Sequence, residues 1–284
     1  MSSRWLACLG VAGFVLLASF PTAQSAGGGN KAPAATKAPR TPWGHPDLQG
    51  VWTTDPEQAV PVERPNEYGT RAELNAAELK AREDLIKKRA RDDVKDRVEL
   101  GKVPGEGSRV QSGDGPEQWY EIGKRESART SLIIDPPNGR IPEYTAEGKK
   151  RLAKQNDKGS FRNNSTGPWD GPEDLDLRDR CITRGLPRTW FPSAYNNGFQ
   201  IVQTPDTVVV YYERLHEARV IPLDNRPPPS PAVREYMGYS RGRWEGETLV
   251  VEVTNFSNQS EFYGAAENLK VTERYTRVGD AVKV

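Results

Sequence analysis

The chain has 284 residues, with 40 Lys and Arg against 39 Asp and Glu and two His, a formal charge of +1. That balance excludes a general nucleic-acid or anionic-membrane surface, which needs a clustered excess of positive charge, and two histidines exclude a histidine-rich metal centre. Hydrophobic residues make up 35% of a chain that also carries 26 Gly and 23 Pro, so a core can form over part of the length and much of the rest is turn and loop.

Residues 1–25 read as a secretory signal. Arg4 supplies the positive start, Leu6 to Phe20 the apolar stretch, and Ala23-Gln24-Ser25 the small-residue cleavage site before Ala26. The apolar run is short for a span, so no membrane span is expected after cleavage, and the destination is the periplasm or the cell exterior. Residues 26–42, rich in Gly, Ala, Lys and Pro, form a flexible linker. Residues 43–284 form a single β-rich domain. In it Gly50 to Thr54 is a short strand, and Thr70 to Leu100 is one long charged helix, a helical insertion at 70–100. Thr70-Arg71-Ala72-Glu73 forms its capping box, Gly101 its stop, and pairs such as Glu78/Arg82 and Glu83/Lys87 support its flank.

The Gly-rich loop at 101–118 lacks the Lys-Ser/Thr of a phosphate-binding loop. Trp119 to Gly123 and Arg129 to Asp135 are expected strands, the second ended by Pro136-Pro137-Asn138-Gly139. Thr145 to Asn156 is a short helix, and Asn163 to Pro172 a loop with Asn-x-Ser/Thr sequons. From Phe199 the pattern is β. Phe199–Thr204 and Thr207–Glu213 flank Pro205-Asp206 as a hairpin, and Ala218–Leu223 follows. Ser230–Met237 is one or two helical turns. Arg241–Trp244 and Glu247–Val253 flank Glu245-Gly246, and Leu269–Arg277 is the last complete strand before a turn and a returning segment at Ala281–Val284. Closely spaced antiparallel strands predict a barrel or sandwich, not a parallel α/β sheet.

Candidate chemistry gathers between Arg180 and Phe256. Cys181 is alone once the signal is removed, so it is a disulfide candidate whose partner is absent from this chain. His216 suits general acid/base work, since an imidazole titrates near neutral pH; Tyr195 is the second acid/base candidate. Arg184, Arg188, Asn197 and Arg219 are interleaved with Trp190, Tyr195, Tyr211 and Tyr212, a composition that suits a pocket for an anionic or sugar-like ligand. No metal ligand set and no cofactor motif is found.

Two resemblances bear on these residues. Gly50-Val51-Trp52 on a first strand with Arg274 on a late one is similar to the lipocalin-like pattern, in which an arginine covers the tryptophan. Over residues 42–284 the chain resembles a family of uncharacterised exported bacterial proteins. The landmarks are Pro42-Trp43-Gly44-His45-Pro46-Asp47-Leu48-Gln49-Gly50-Val51-Trp52, the run Arg129 to Pro142, Arg180-Cys181-Ile182-Thr183-Arg184-Gly185-Leu186-Pro187, and Ser240 to Val251. Members of that family extend further in β structure with a Cys-His, so the resemblance implies that this chain is C-terminally truncated. The expectation is therefore a mainly β, lipocalin-like antiparallel barrel or sandwich, incomplete at its C-terminus. Its expected role is that of an exported protein binding a small anionic or sugar-like ligand. The alternatives are an exported lyase or hydrolase using His216 or Tyr195, and an envelope structural protein.

Overall fold

Two runs of β-branched and aromatic residues set the architecture. In a computed structural model, which describes residues 38–92, 126–158, 169–193, 195–224, 226–260 and 262–284, they form two antiparallel four-stranded sheets. The first contains β1 (Gly50–Thr53), β2 (Gly198–Gln203), β3 (Thr207–Tyr212) and β4 (Ala218–Pro222), in that order. The second contains β5 (Tyr239–Glu245), β6 (Thr248–Thr254), β7 (Val271–Val278) and β8 (Ala281–Lys283), again in sequence order. Among the described residues no ladder joins β4 to β5 or β8 to β1, so no barrel is closed.

Period-two alternation decides which face each side chain meets. Phe199, Ile201, Val208, Val210, Tyr212 and Ile221 of the first sheet share one buried cluster with Leu249, Val251, Val253 and Tyr275 of the second. Removing each such side chain from water contributes about 1.5–3 kcal/mol. Gly242 lets the sheets approach: a Cβ there would lie 2.7 Å from Leu223 Cδ2 and 2.9 Å from Ile221 Cγ2. The outer face of the second sheet is different. Arg243 pairs with Glu252 at 2.7 Å and Glu245 at 2.8 Å, and Arg274 with Glu245 at 3.0 Å. In register between Arg243 and Arg274 lies Val250, fully buried on that outer face.

Trp52 folds back over its own strand. A Cβ at Gly50, where φ is +146°, would come within 3.3 Å of the Trp52 ring, so glycine is what the position accepts. The arginine over Trp52 is Arg277, 5.4 Å from the ring, and not Arg274, which faces the opposite side of β7 and pairs with Glu245. Alternation places residues 274 and 277 on opposite faces, which explains the correction.

The helices differ from expectation in detail. The first, α1 (Ala76–Asp92), starts six residues later than Thr70. Its cap is Asn75, whose Oδ1 accepts from the Ala77 and Glu78 N–H groups while Glu78 accepts from the Asn75 N–H, a reciprocal box that outcompetes Thr70/Glu73. The expected continuation from 93 to 100 lies outside the described residues, as do the signal segment, the strand at 119–123 and the sequons. The second, α2 (Ala146–Lys158), begins where expected, with Thr145 Oγ1 accepting from the Gly148 N–H. Residues 129–135 are not a strand. They form a bent loop, tied by a single bridge between Arg129 and Glu73 and by Leu132 and Ile133 donating to the Pro61 and Val62 carbonyls, because no neighbouring strand offers a ladder. Residues 230–237 form turns, not a helix; Asn255 Nδ2 bonds the Ser230 and Val233 carbonyls instead. The linker ends early: Ala38 and Thr41 are already buried.

Beside α1, Glu126 is buried, with one carboxylate oxygen unpartnered. Burial pushes its carboxyl up to about 7, and Glu83, Glu57 and Asp55 add to the rise while Arg82 works against it. Arg82 spends its Nη1 on the Ser127 and Arg129 carbonyls, both at 2.8 Å.

Candidate functional site

A cleft of about 660 Å³ opens between the start of α2 and four loop segments. Its floor is set by two glycines. Gly264, with φ at +77°, lies so close to α2 that a Cβ would sit 2.6 Å from the Gly148 carbonyl oxygen. The turn carrying it is closed by paired backbone hydrogen bonds between Phe262 and Ala265, at 2.8 and 3.0 Å. The walls are aromatic. Phe262 meets Phe191 edge-on at 5.8 Å and Tyr263 at 4.6 Å, and Tyr144 completes the lining. Phe191 follows the 3-10 turn Arg188–Trp190, and its carbonyl accepts from Arg184 at 3.1 Å.

Four charged groups line the same cleft: Asp135, Glu143, Glu147 and Arg151. Arg151 pairs with Glu147 at 3.3 Å, and Glu143 lies 3.9 Å from Lys149 with its side chain almost wholly in solvent. Polar groups thus border an aromatic interior. Burial raises the Tyr144 phenol above its usual range, with Tyr263 and Glu63 adding to the effect. A neutral phenol can both donate and accept a hydrogen bond.

A second polar centre is sealed inside the core. Arg219 on β4 meets Glu273 on β7 through two bonds, at 2.9 and 2.5 Å, and donates Nε to Ser240 Oγ at 2.8 Å. Trp190 Nε1 donates to Glu273 Oε1 at 2.7 Å. Arg219 and Glu273 are both buried. Burial disfavours the guanidinium charge, but Glu273 more than offsets it and holds the Arg219 pKa well above its usual value. Burial raises the Tyr212 and Tyr275 phenols for want of solvent. This pair ties the two sheets together; it opens on no cleft.

The residues expected to form a site are dispersed. Arg219 is in the core, not at a pocket mouth. Asn197 is a buried loop scaffold, donating to Asp55 Oδ1 at 2.9 Å and the Ser193 carbonyl at 2.6 Å. Tyr195 lies under the Arg214 guanidinium, 4.9 Å away, and Arg214 also donates to Ser193 Oγ and to the Tyr195 carbonyl. His216 is exposed on the turn Arg214–His216, where Leu215 and His216 both have positive φ. Arg184 braces Phe191 from behind, and Arg188 adds positive field near Asp176. Cys181 is a free, exposed thiol. None of these lines the cleft; from the same stretch, Pro187 and Phe191 do. His45 packs against Trp244 with the rings tilted, their centroids 5.2 Å apart. Among the described residues no group of three or more His, Cys, Asp or Glu is placed to hold a metal ion, and no helix is long and apolar enough to cross a membrane.

Sequence reasoning missed Tyr144, Phe262, Tyr263 and the rim charges. The one available signal was Phe262-Tyr263-Gly264, two aromatics before a glycine. Comparison with protein-family models, with curated proteins and with solved structures yields no match.

Proposed function

We propose that this chain is an exported binding protein for a small, uncharged, sugar-like ligand held in the cleft between α2 and the 262–265 turn. The observation that carries the reading is the pairing of four aromatic walls with a rim of three carboxylates and one arginine. Aromatic faces stack on the C–H faces of a pyranose ring, while carboxylates accept its hydroxyl protons and Arg151 donates. Three acids against one base disfavour an anion, so of the two ligand chemistries expected from sequence the sugar-like one fits. A cleft of this size takes one to a few sugar rings. The lipocalin-like relationship and export are part of the same proposal; Trp52 beneath Arg277 supports the first, and the Arg4-to-Ser25 segment the second.

Isothermal titration against neutral oligosaccharides and the matching uronic acids tests it. Neutral sugars bind, uronates bind more weakly, and Tyr263→Ala and Phe191→Ala each weaken binding about tenfold. The reading is overturned if the panel gives no heat, or if both variants bind like the parent.

A further inference from the structure

We propose that the outer face of the first sheet is an interface on which a second copy of this chain docks, sheet face to sheet face. Register places Val51, Gln200, Tyr211 and Ala218 in one cross-strand row and Val202, Val209 and Val220 in the next. The face is open to solvent: Val51 is 77% exposed, Val220 58%, Val202 42% and Tyr211 41%. These two rows carry no Lys, Arg, Asp or Glu in a chain that is 28% charged. The contrast with the second sheet is direct, since its outer face is covered by the Arg243, Glu245, Glu252 and Arg274 ladder. Contiguous apolar surface of this kind marks an association site.

The occupant follows from area and charge. Four strands about 4.8 Å apart and four to six residues long give a planar footprint of roughly 300 Å² per copy, hence about 600 Å² for two copies and up to about 1,000 Å² of accessible surface once side-chain relief is counted. That is below the range of standard specific interfaces, so the dimer is a weak, transient one. Two equally twisted sheets stack about 10 Å apart with their side chains interdigitated, as in a sandwich. The polar groups on the face are complementary to themselves: the Gln200 amide and Tyr211 hydroxyl can satisfy each other across a two-fold axis. An anionic lipid surface is disfavoured, because the charges bordering the face include Asp206 and Glu213.

Sedimentation velocity on the full chain from about 1 to 200 µM is the test. A dimer fraction that rises with concentration is expected. Val220→Lys and Val202→Lys, both at exposed positions, should each leave a monomer with an unchanged far-UV spectrum and melting temperature. A parent that stays monomeric throughout overturns the proposal, and thiol accessibility of Val202→Cys then tells whether residues of the same chain cover the face. A dimer indifferent to both lysines also overturns it, since the interface then lies elsewhere.

Discussion

Replacing Glu273 with leucine should be among the most damaging single changes in the second sheet. The substitution keeps a side chain of similar bulk on β7 but removes both acceptors that hold Arg219. The guanidinium keeps Ser240 Oγ, and the Tyr275 hydroxyl lies at the 3.5 Å limit. Leaving one partner of a buried pair unpaired costs about 3–5 kcal/mol, and Trp190 Nε1 loses its acceptor for about 1 kcal/mol more. A total of about 4–6 kcal/mol is a large share of the 5–15 kcal/mol that holds a typical domain. Glu273→Gln retains an acceptor oxygen and should cost about half as much. Urea unfolding monitored by tryptophan fluorescence measures both. The double variant Arg219→Met/Glu273→Leu removes the orphaned charge and should be more stable than Glu273→Leu alone, which gives a coupling term of opposite sign to the single losses. The reasoning fails if Glu273→Leu loses less than about 1 kcal/mol, or if the two single losses simply add.

Glu126 gives the molecule a pH dependence. Its folded carboxyl titrates at about 7 against an ordinary value of 4.5, with burial the main cause. Between those values the folded state keeps a proton that the unfolded state releases, so stability falls as pH rises through the window. Glu126→Gln should flatten that slope and raise stability at pH 8 by on the order of 1–2 kcal/mol, allowing for solvent screening, with little change at pH 4; equal slopes in parent and variant would refute it. Gly264→Ala should lower stability by about 2–3 kcal/mol, from a positive-φ alanine whose Cβ would press on the Gly148 carbonyl. A melting curve reads that loss, and sugar binding should fall with it; an alanine variant that melts and binds like the parent would show that the floor is not fixed by backbone contact.

The hairpins were legible because their signals are local. Pro205-Asp206 and Glu245-Gly246 sit between runs of alternating apolar residues, and β2–β3 and β5–β6 form there, the second with its turn one residue later, at Gly246-Glu247. Local signals also misled. Thr70-x-x-Glu73 satisfies the capping pattern, yet Asn75-x-x-Glu78 forms the cap. Arg129 to Asp135 has strand composition, but a strand needs a partner edge, which no single segment announces. The Arg219–Glu273 pair joins residues far apart in sequence, on strands of different sheets, and neither residue is distinguished from a surface charge by its neighbours. The cleft is less legible still. Its lining comes from residues near 62, 133–151, 187–191 and 262–265, so no periodicity or spacing within one stretch encodes it. Arginine–aromatic interleaving drew attention to the chain from Arg184 to Arg219, and its first part does contribute a wall, through Pro187 and Phe191 instead of the arginines.

Cys181 has a use that follows from its position. It is exposed, it is the one cysteine among the described residues, and it stands six residues before Pro187 at the cleft. A maleimide dye attached there sits on the segment that carries Phe191 into the wall. Labelling at this position places a probe on the chain segment that reaches the cleft without altering any lining residue.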